Sequence, residues 1–282
     1  MDKRNSSFHI YFFLYCCLVL LLEKTDSQPS HDKEDIQVFS KIAKTTQTDK
    51  ITRHRYDLLY DEFFSPAQIR RTNKILEIGL GCNMAYGPGA SATIWPRLFP
   101  KAKVYFMEYD GSCVEKHRTQ IDSLNITIFV GDQADSKFLQ EVATEHGPFD
   151  VIIDDGGHSD RQMLNSLRVL GEKALSPGGI YFIEDMVCNF ENYEPYLDYS
   201  HEQSTADWGN HPVKNKFHNG DRHQRSDVGA PTSVIQMFVM ELAAEYLAGT
   251  TWGNKHFKYV GCGRGICFFR SYTTEERQTL LY

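Results

Sequence analysis

The stretch Val151-Ile152-Ile153-Asp154-Asp155-Gly156-Gly157-His158 constrains the chain most. A short apolar run ends in two carboxylates, two glycines and an imidazole. Further on, Ile180-Tyr181-Phe182-Ile183-Glu184-Asp185 repeats the pattern of a buried run ending in acids. Short apolar runs bounded by Gly and Pro read as buried parallel strands. In open α/β sheets ligands bind at the carboxyl ends of such strands. Two neighbouring strands would therefore deliver Asp155, Glu184, Asp185 and His158 to one rim. Crowded carboxylates repel unless a proton or cation separates them, and hard oxygen ligands suit Mg²⁺ or a similar ion. Asp154 faces the other side of its strand and is expected to brace the loop.

The remaining apolar runs alternate with helical patterns, which argues for a doubly wound sheet. Lys74 to Ile78 leads into Gly79-Leu80-Gly81, and Glu77-Ile78-Gly79-Leu80-Gly81 lacks a third glycine. That variant is weak evidence for a dinucleotide and fair evidence for S-adenosylmethionine. Gly87-Pro88-Gly89 extends the loop before a predicted helix over 90–98. Val104 to Glu108 ends in an acid placed to accept hydrogen bonds from ribose hydroxyls, and residues 111–122 read as a helix. Ile126 to Val130 runs into Gly131-Asp132-Gln133, where an acid and an amide could meet an adenine edge; helix capping by Asp132 or Asp135 is the competing reading. Helices are expected over 136–146 and 160–175, with Ser176-Pro177-Gly178-Gly179 as a turn. His256 to Val260 and Ile266 to Phe269 form a terminal antiparallel pair. The fold class is α/β: a doubly wound, mostly parallel seven-stranded sheet with an antiparallel terminal strand.

A chain of 282 residues, 41% hydrophobic, can bury a full core. Its net charge of −7 without a basic stripe argues against a nucleic-acid partner. Lys3 and Arg4 precede an apolar run over 8–22 that is short for a membrane span. It fits a signal peptide over 1–27, an uncleaved type II anchor being the alternative. Membrane association is expected only in the second case, and either places the body in the secretory lumen or outside the cell. Asn125-Ile126-Thr127 is a glycosylation sequon there; Asn5-Ser6-Ser7 also matches but sits within the targeting segment. Residues 28–70 read as a linker followed by a helical or flap region, and 71–282 as the catalytic-sized domain, with a polar, histidine-rich insertion near 190–230. Among 7 cysteines no Cys-x-x-Cys pair suggests zinc, and the scatter does not suggest a disulfide scaffold. Cys262 and Cys267 lie close enough for a small disulfide loop or for two thiols.

Together, Thr48-Asp49-Lys50, Leu76-Glu77-Ile78-Gly79, Gly89-Ala90-Ser91 with Trp95, Gly131-Asp132-Gln133, Asp154-Asp155-Gly156-Gly157-His158 and Ile183-Glu184-Asp185 resemble class I S-adenosylmethionine-dependent methyltransferases. The likeness covers roughly 48–269 and is greatest to metal-dependent macrolide sugar O-methyltransferases of the mycinamicin type. It implies a Rossmann-like fold, S-adenosylmethionine as cofactor and Mg²⁺ held by Asp155, Glu184 and Asp185. It implies His158 as the catalytic base, and cofactor contacts from Glu77, Gly79, Gly81, Glu108, Asp132 and Gln133. The implied acceptor is a hydroxyl of a sugar, glycan or secreted small molecule. The secretory N-terminus, Gly157 in place of a serine and the 190–230 region depart from the pattern. Two other readings stay open: a secreted binding protein that kept the fold without the chemistry, and a related oxidoreductase or hydroxylase-like enzyme.

Overall fold

The computed structural model describes residues 38–186, 256–263 and 265–279. The predicted targeting segment, the Asn5 sequon and the 190–230 insertion lie outside the described residues. Among the described residues no helix is long and apolar enough to cross a membrane.

Among the described residues four short helices come first: α1 (Phe39–Ala43), α2 (Asp49–Thr52), α3 (Asp57–Phe63) and α4 (Pro66–Arg71). The sheet then builds through β1 (Lys74–Ile78), β2 (Lys103–Glu108), β3 (Ile126–Val130), β4 (Phe149–Asp154), β5 (Leu175–Ile183), β6 (Phe257–Cys262) and β7 (Cys267–Ser271). Strand order is β3-β2-β1-β4-β5-β7-β6, with β1 to β5 parallel and β7 antiparallel to both β5 and β6. This is the expected seven-stranded sheet. Interleaved are α5 (Trp95–Leu98), α6 (Gly111–Lys116), α7 (Arg118–Asp122), α8 (Ser136–His146), α9 (Asp160–Lys173) and the final α10 (Thr274–Thr279).

Side chains alternate across a strand with period two, and the two faces bury different residues. Ile75, Val104, Phe106, Val151, Ile153, Ile180 and Phe182 pack against the N-terminal helices and Trp95. Leu76, Ile78, Tyr105, Met107, Ile152, Tyr181 and Ile183 join α8 and α9 through Leu139, Met163 and Leu167. The first face is aromatic-rich: Tyr60 stacks on Phe64 and meets Trp95 and Phe182 edge-on. Rings in these geometries add about 0.5–1.5 kcal/mol per pair beyond area burial.

Three local expectations change. The helix over 90–98 divides into a 3₁₀ turn (Ser91–Thr93) and α5, because Pro96 has no amide to continue the ladder and sits in the first turn of a new helix. Residues 111–122 form two helices joined at His117. Residues 176–179 are not a free turn but a bulged part of β5, where pairing shifts from Leu175↔Phe149 to Ile180↔Val151. The bulge is tied to the end of the last strand, the Ser271 hydroxyl donating to the Ser176 carbonyl at 2.6 Å.

Asp154 braces the opposite face, as parity requires. It is buried and accepts from Gln133 Nε2 (3.0 Å), Ser166 Oγ (2.8 Å) and Tyr181 Oη (3.0 Å). Burial raises its pKa, and those three donors oppose the rise. Asp154→Ala strands three buried donors, so denaturant unfolding should show a loss of ~2–4 kcal/mol. A loss under ~0.5 kcal/mol, the range of an ordinary surface change, contradicts the bracing role.

Candidate active site

A cavity of about 840 Å³ opens at the carboxyl ends of β1, β2, β4 and β5, roofed on one side by α2 and the residues after it. Of the residues expected at the site, Gly79, Gly81, Glu108, Gln133, Asp155, His158 and Asp185 line it; Glu77, Asp132 and Glu184 do not. The glycine turn is tight. Gly79 has φ +95°, and a Cβ there would collide with the carbonyl oxygen of Asp155. The first and fourth strand ends therefore touch through backbone, and only glycine permits it.

Residues 77, 155 and 184 share the parity of the aromatic face, and all three carboxylates meet one ammonium. Lys50 Nζ lies 3.2 Å from Glu77 Oε1, 2.5 Å from Asp155 Oδ2 and 2.6 Å from Glu184 Oε2. Lys50, Glu77 and Glu184 are 3%, 0% and 1% exposed, so their charges are paired inside the protein. Burial works against the Lys50 ammonium, yet Asp155, Glu184 and Glu77 hold its pKa well above the lysine range. Burial likewise pushes the Glu184 carboxyl well above the usual range, with Lys50 opposing and Asp155 and Glu77 reinforcing the push. Glu77 also accepts from Trp95 Nε1 at 2.7 Å, and Tyr60 donates to Glu184.

At the rim the two oxygens of each acid face different partners. Asp155 gives Oδ2 to Lys50 and turns Oδ1 toward His158 Nε2, 3.9 Å away. Asp185 gives Oδ1 to the Tyr56 hydroxyl (2.6 Å), with His54 Nδ1 at 3.3 Å, and turns Oδ2 toward His158 Nε2 at 3.6 Å. One ligand atom from each of Asp155, His158 and Asp185 lies within 4.8 Å of the others. His158 and Asp185 adopt φ +56° and +53°. Left-handed backbone at a non-glycine residue costs of order 1–3 kcal/mol and persists where surrounding contacts over-determine it. Here it aims both side chains at one spot.

The expected cofactor positions hold internal bonds. Glu108 accepts from Leu80 N and Asp110 N, both at 2.9 Å, which fixes the glycine turn to the end of β2. Gln133 links the layers: its amide donates to Asp154 and Ser166 and accepts from Gly157 N at 2.8 Å. Asp132 accepts from Ala134 N within its turn, while Asp135 caps α8.

Sequence reading missed four contributors. Lys50, Tyr56 and Tyr60 come from the segment that reads as either a packed helix or a flap. In the structure Phe39, Tyr56 and Tyr60 of this segment lie in the core and Thr48 to Lys50 lie in the cavity wall. The fourth is the disulfide Cys82–Cys113, which staples the loop after β1 to α6 beside the cavity. Cys262–Cys267 forms as well, so of the two states left open for that pair the structure has the disulfide.

Two tests follow from this geometry. Gly79→Ala should lower the unfolding midpoint and abolish binding of a ligand in the turn, read by calorimetry with S-adenosylhomocysteine; wild-type binding would show the backbone contact to be dispensable. His54 is held above its ordinary pKa of 6.5, chiefly by its hydrogen bond to Asp49 with Asp185 adding to it. A raised folded-state pKa stabilises fully below 6.5 and the effect is lost as pH rises through the raised value. The melting difference between wild type and His54→Gln should be largest in acid and shrink above neutrality. A difference that grows with pH reverses the assignment.

No family model matches the chain. Among curated proteins it is 33% identical over 135 residues to mycinamicin VI 2''-O-methyltransferase of Micromonospora griseorubida, covering 47% of this chain and 32% of that one. It is 30% identical over 161 residues to an 8-demethyl-8-alpha-L-rhamnosyl tetracenomycin-C 2'-O-methyltransferase of Streptomyces olivaceus (56% and 40%). With L-olivosyl-oleandolide 3-O-methyltransferase of Streptomyces antibioticus it shares 40% over 123 residues (43% and 29%). The matched region thus spans roughly a third of these relatives' length. Among solved structures, the MycE methyltransferase of the mycinamycin pathway, in complex with Mg, SAH and mycinamycin VI, superposes with a TM-score of 0.63 at 20% identity, over 87% of this chain and 60% of that one. Strand order and superposition together show the Rossmann-like class I methyltransferase fold, and in sequence the chain resembles the macrolide sugar O-methyltransferases.

Proposed function

We propose that the chain is an S-adenosylmethionine-dependent, Mg²⁺-assisted O-methyltransferase acting on a hydroxyl of a sugar or sugar-bearing small molecule. The observation that carries this reading is the convergence of Asp155, His158 and Asp185 within 4.8 Å, at the rim of a cavity floored by the glycine turn. The printed activities of the relatives supply the reaction class and the acceptor class. The donor set fits a hard ion: Asp155 and Asp185 each keep one oxygen turned toward a common spot, their other oxygens being held by Lys50 and Tyr56. Asp155 and Asp185 would hold the ion, with Glu184 the third acid behind them.

When bound, the cofactor supplies an electrophilic methyl group and the ion acidifies a nearby hydroxyl. His158 Nε2, close to the free oxygens of both acids, removes the hydroxyl proton. Tyr56 and His54 keep Asp185 from rotating, and Gln133 fixes the Gly157 amide and with it the loop that carries His158. Glu108 and the glycine turn shape the donor end of the cavity.

The same reading places the protein in an oxidising, secretory setting. Two disulfides among the described residues, an exposed Asn125 at the turn into β3 that heads the Asn125-Ile126-Thr127 sequon, and the basic-apolar N-terminus support it. Glycosidase treatment of the secreted protein should shift its mass, and Asn125→Gln should abolish the shift.

His158→Ala should keep S-adenosylhomocysteine binding and lose ~10²–10⁴-fold in turnover on a glycosylated acceptor, the usual worth of a general base. Methyl transfer from labelled cofactor, assayed across sugar-bearing acceptors with and without EDTA, checks the whole scheme. Full activity in EDTA removes the ion from it, and unchanged turnover by the variant removes His158 from the base role.

A further inference from the structure

The Lys50 ammonium occupies an unusual place. It sits between Asp155 Oδ2 and Glu184 Oε2 at 2.5 and 2.6 Å, the first an acid of the candidate metal group at the rim and the second the acid buried directly behind it. A carboxylate pair clamped on one small cation is the environment a divalent ion would seek. The remaining partner, Glu77, lies deeper at 3.2 Å and is wholly buried. It receives Trp95 Nε1, so it stays fixed whatever happens at the rim. Lys50 is anchored at its backbone by the Thr48 cap of α2, while its flexible four-carbon stem lets the ammonium move.

We propose that Lys50 is a built-in competitor for the divalent ion: its ammonium holds the Asp155 and Glu184 oxygens that a cation at the rim would draw on, and ion binding shifts it toward Glu77. Lys50 is thus a positioning residue, and the inference rests on the metal reading of the rim. Without an ion it keeps three buried carboxylates from repelling one another and holds Asp155 in place. With an ion, its displacement weakens net affinity and lets Glu184 join the ligands. Glu77 gains a purpose that the cavity lining alone does not give it: a second seat for the ammonium.

The test is Mn²⁺ binding to the full chain without cofactor, read by the paramagnetic signal of the free ion. Lys50→Met removes the competitor, so Mn²⁺ should bind at least about tenfold more tightly, as loss of a unit charge beside the site requires. Adding Glu184→Gln should abolish the gain. Equal or weaker binding by folded Lys50→Met overturns the inference and leaves the metal reading standing. Binding by Lys50→Met but not by wild type overturns both, because the ammonium then blocks the ion instead of yielding to it. Binding by neither overturns both. Should Lys50→Met fail to fold, Glu184→Gln alone decides: about tenfold weaker Mn²⁺ binding supports displacement, and unchanged affinity overturns it.

Discussion

A single buried ammonium among three carboxylates organises this molecule. Without Lys50, Glu77 and Glu184 would be two anions removed from water beside a third, and desolvation of a charge costs several kcal/mol per ion when nothing compensates. With it, the aromatic face of the sheet can close over its acids, and the N-terminal helices gain a polar reason to dock where the apolar one already acts. The pairing joins residues separated by up to 134 positions. It therefore forms only when the sheet and the N-terminal segment are both in place.

Around that centre, the rim is built by dividing each carboxylate. One oxygen of Asp155 and one of Asp185 are committed to donors from the N-terminal segment, and the others face His158. Preorganisation of this kind lowers the ordering cost when charge arrives, because side chains need not be collected from several rotamers. The left-handed backbone at positions 158 and 185 belongs to the same design: strain is accepted where aim matters.

The sheet was legible in the sequence because buried strands announce themselves as short apolar runs, and their ends as acids and glycines. Parity alone separated Asp154 from Asp155, and the structure agrees down to the donors that each receives. Lys50, Tyr56 and Tyr60 were not legible. Their acid partners Asp155, Glu184 and Asp185 lie more than a hundred positions away, and the Thr48-Asp49-Lys50 segment, though part of the family likeness, does not reveal which acids its lysine meets. Cys82 and Cys113 escaped for a related reason, since 31 residues part them and only the adjacency of β1 and β2 brings them together. Residue type suggests Glu184 as a ligand but not the company it keeps: in the structure Tyr60 and Lys50 hold its oxygens.

The alternation of side chains along β4 has one more implication. Asp154 and Asp155 are neighbours of identical chemistry, and only the pairing Ile75↔Val151 decides which becomes the brace and which the rim ligand. Sliding that strand by one residue would seat Asp155 in the Gln133, Ser166 and Tyr181 cluster and Gly156 in its place, leaving Lys50 with Glu77 and Glu184 but no acid from β4. Fidelity of strand alignment during folding is here a chemical variable, as decisive for the centre as the identity of any residue in it.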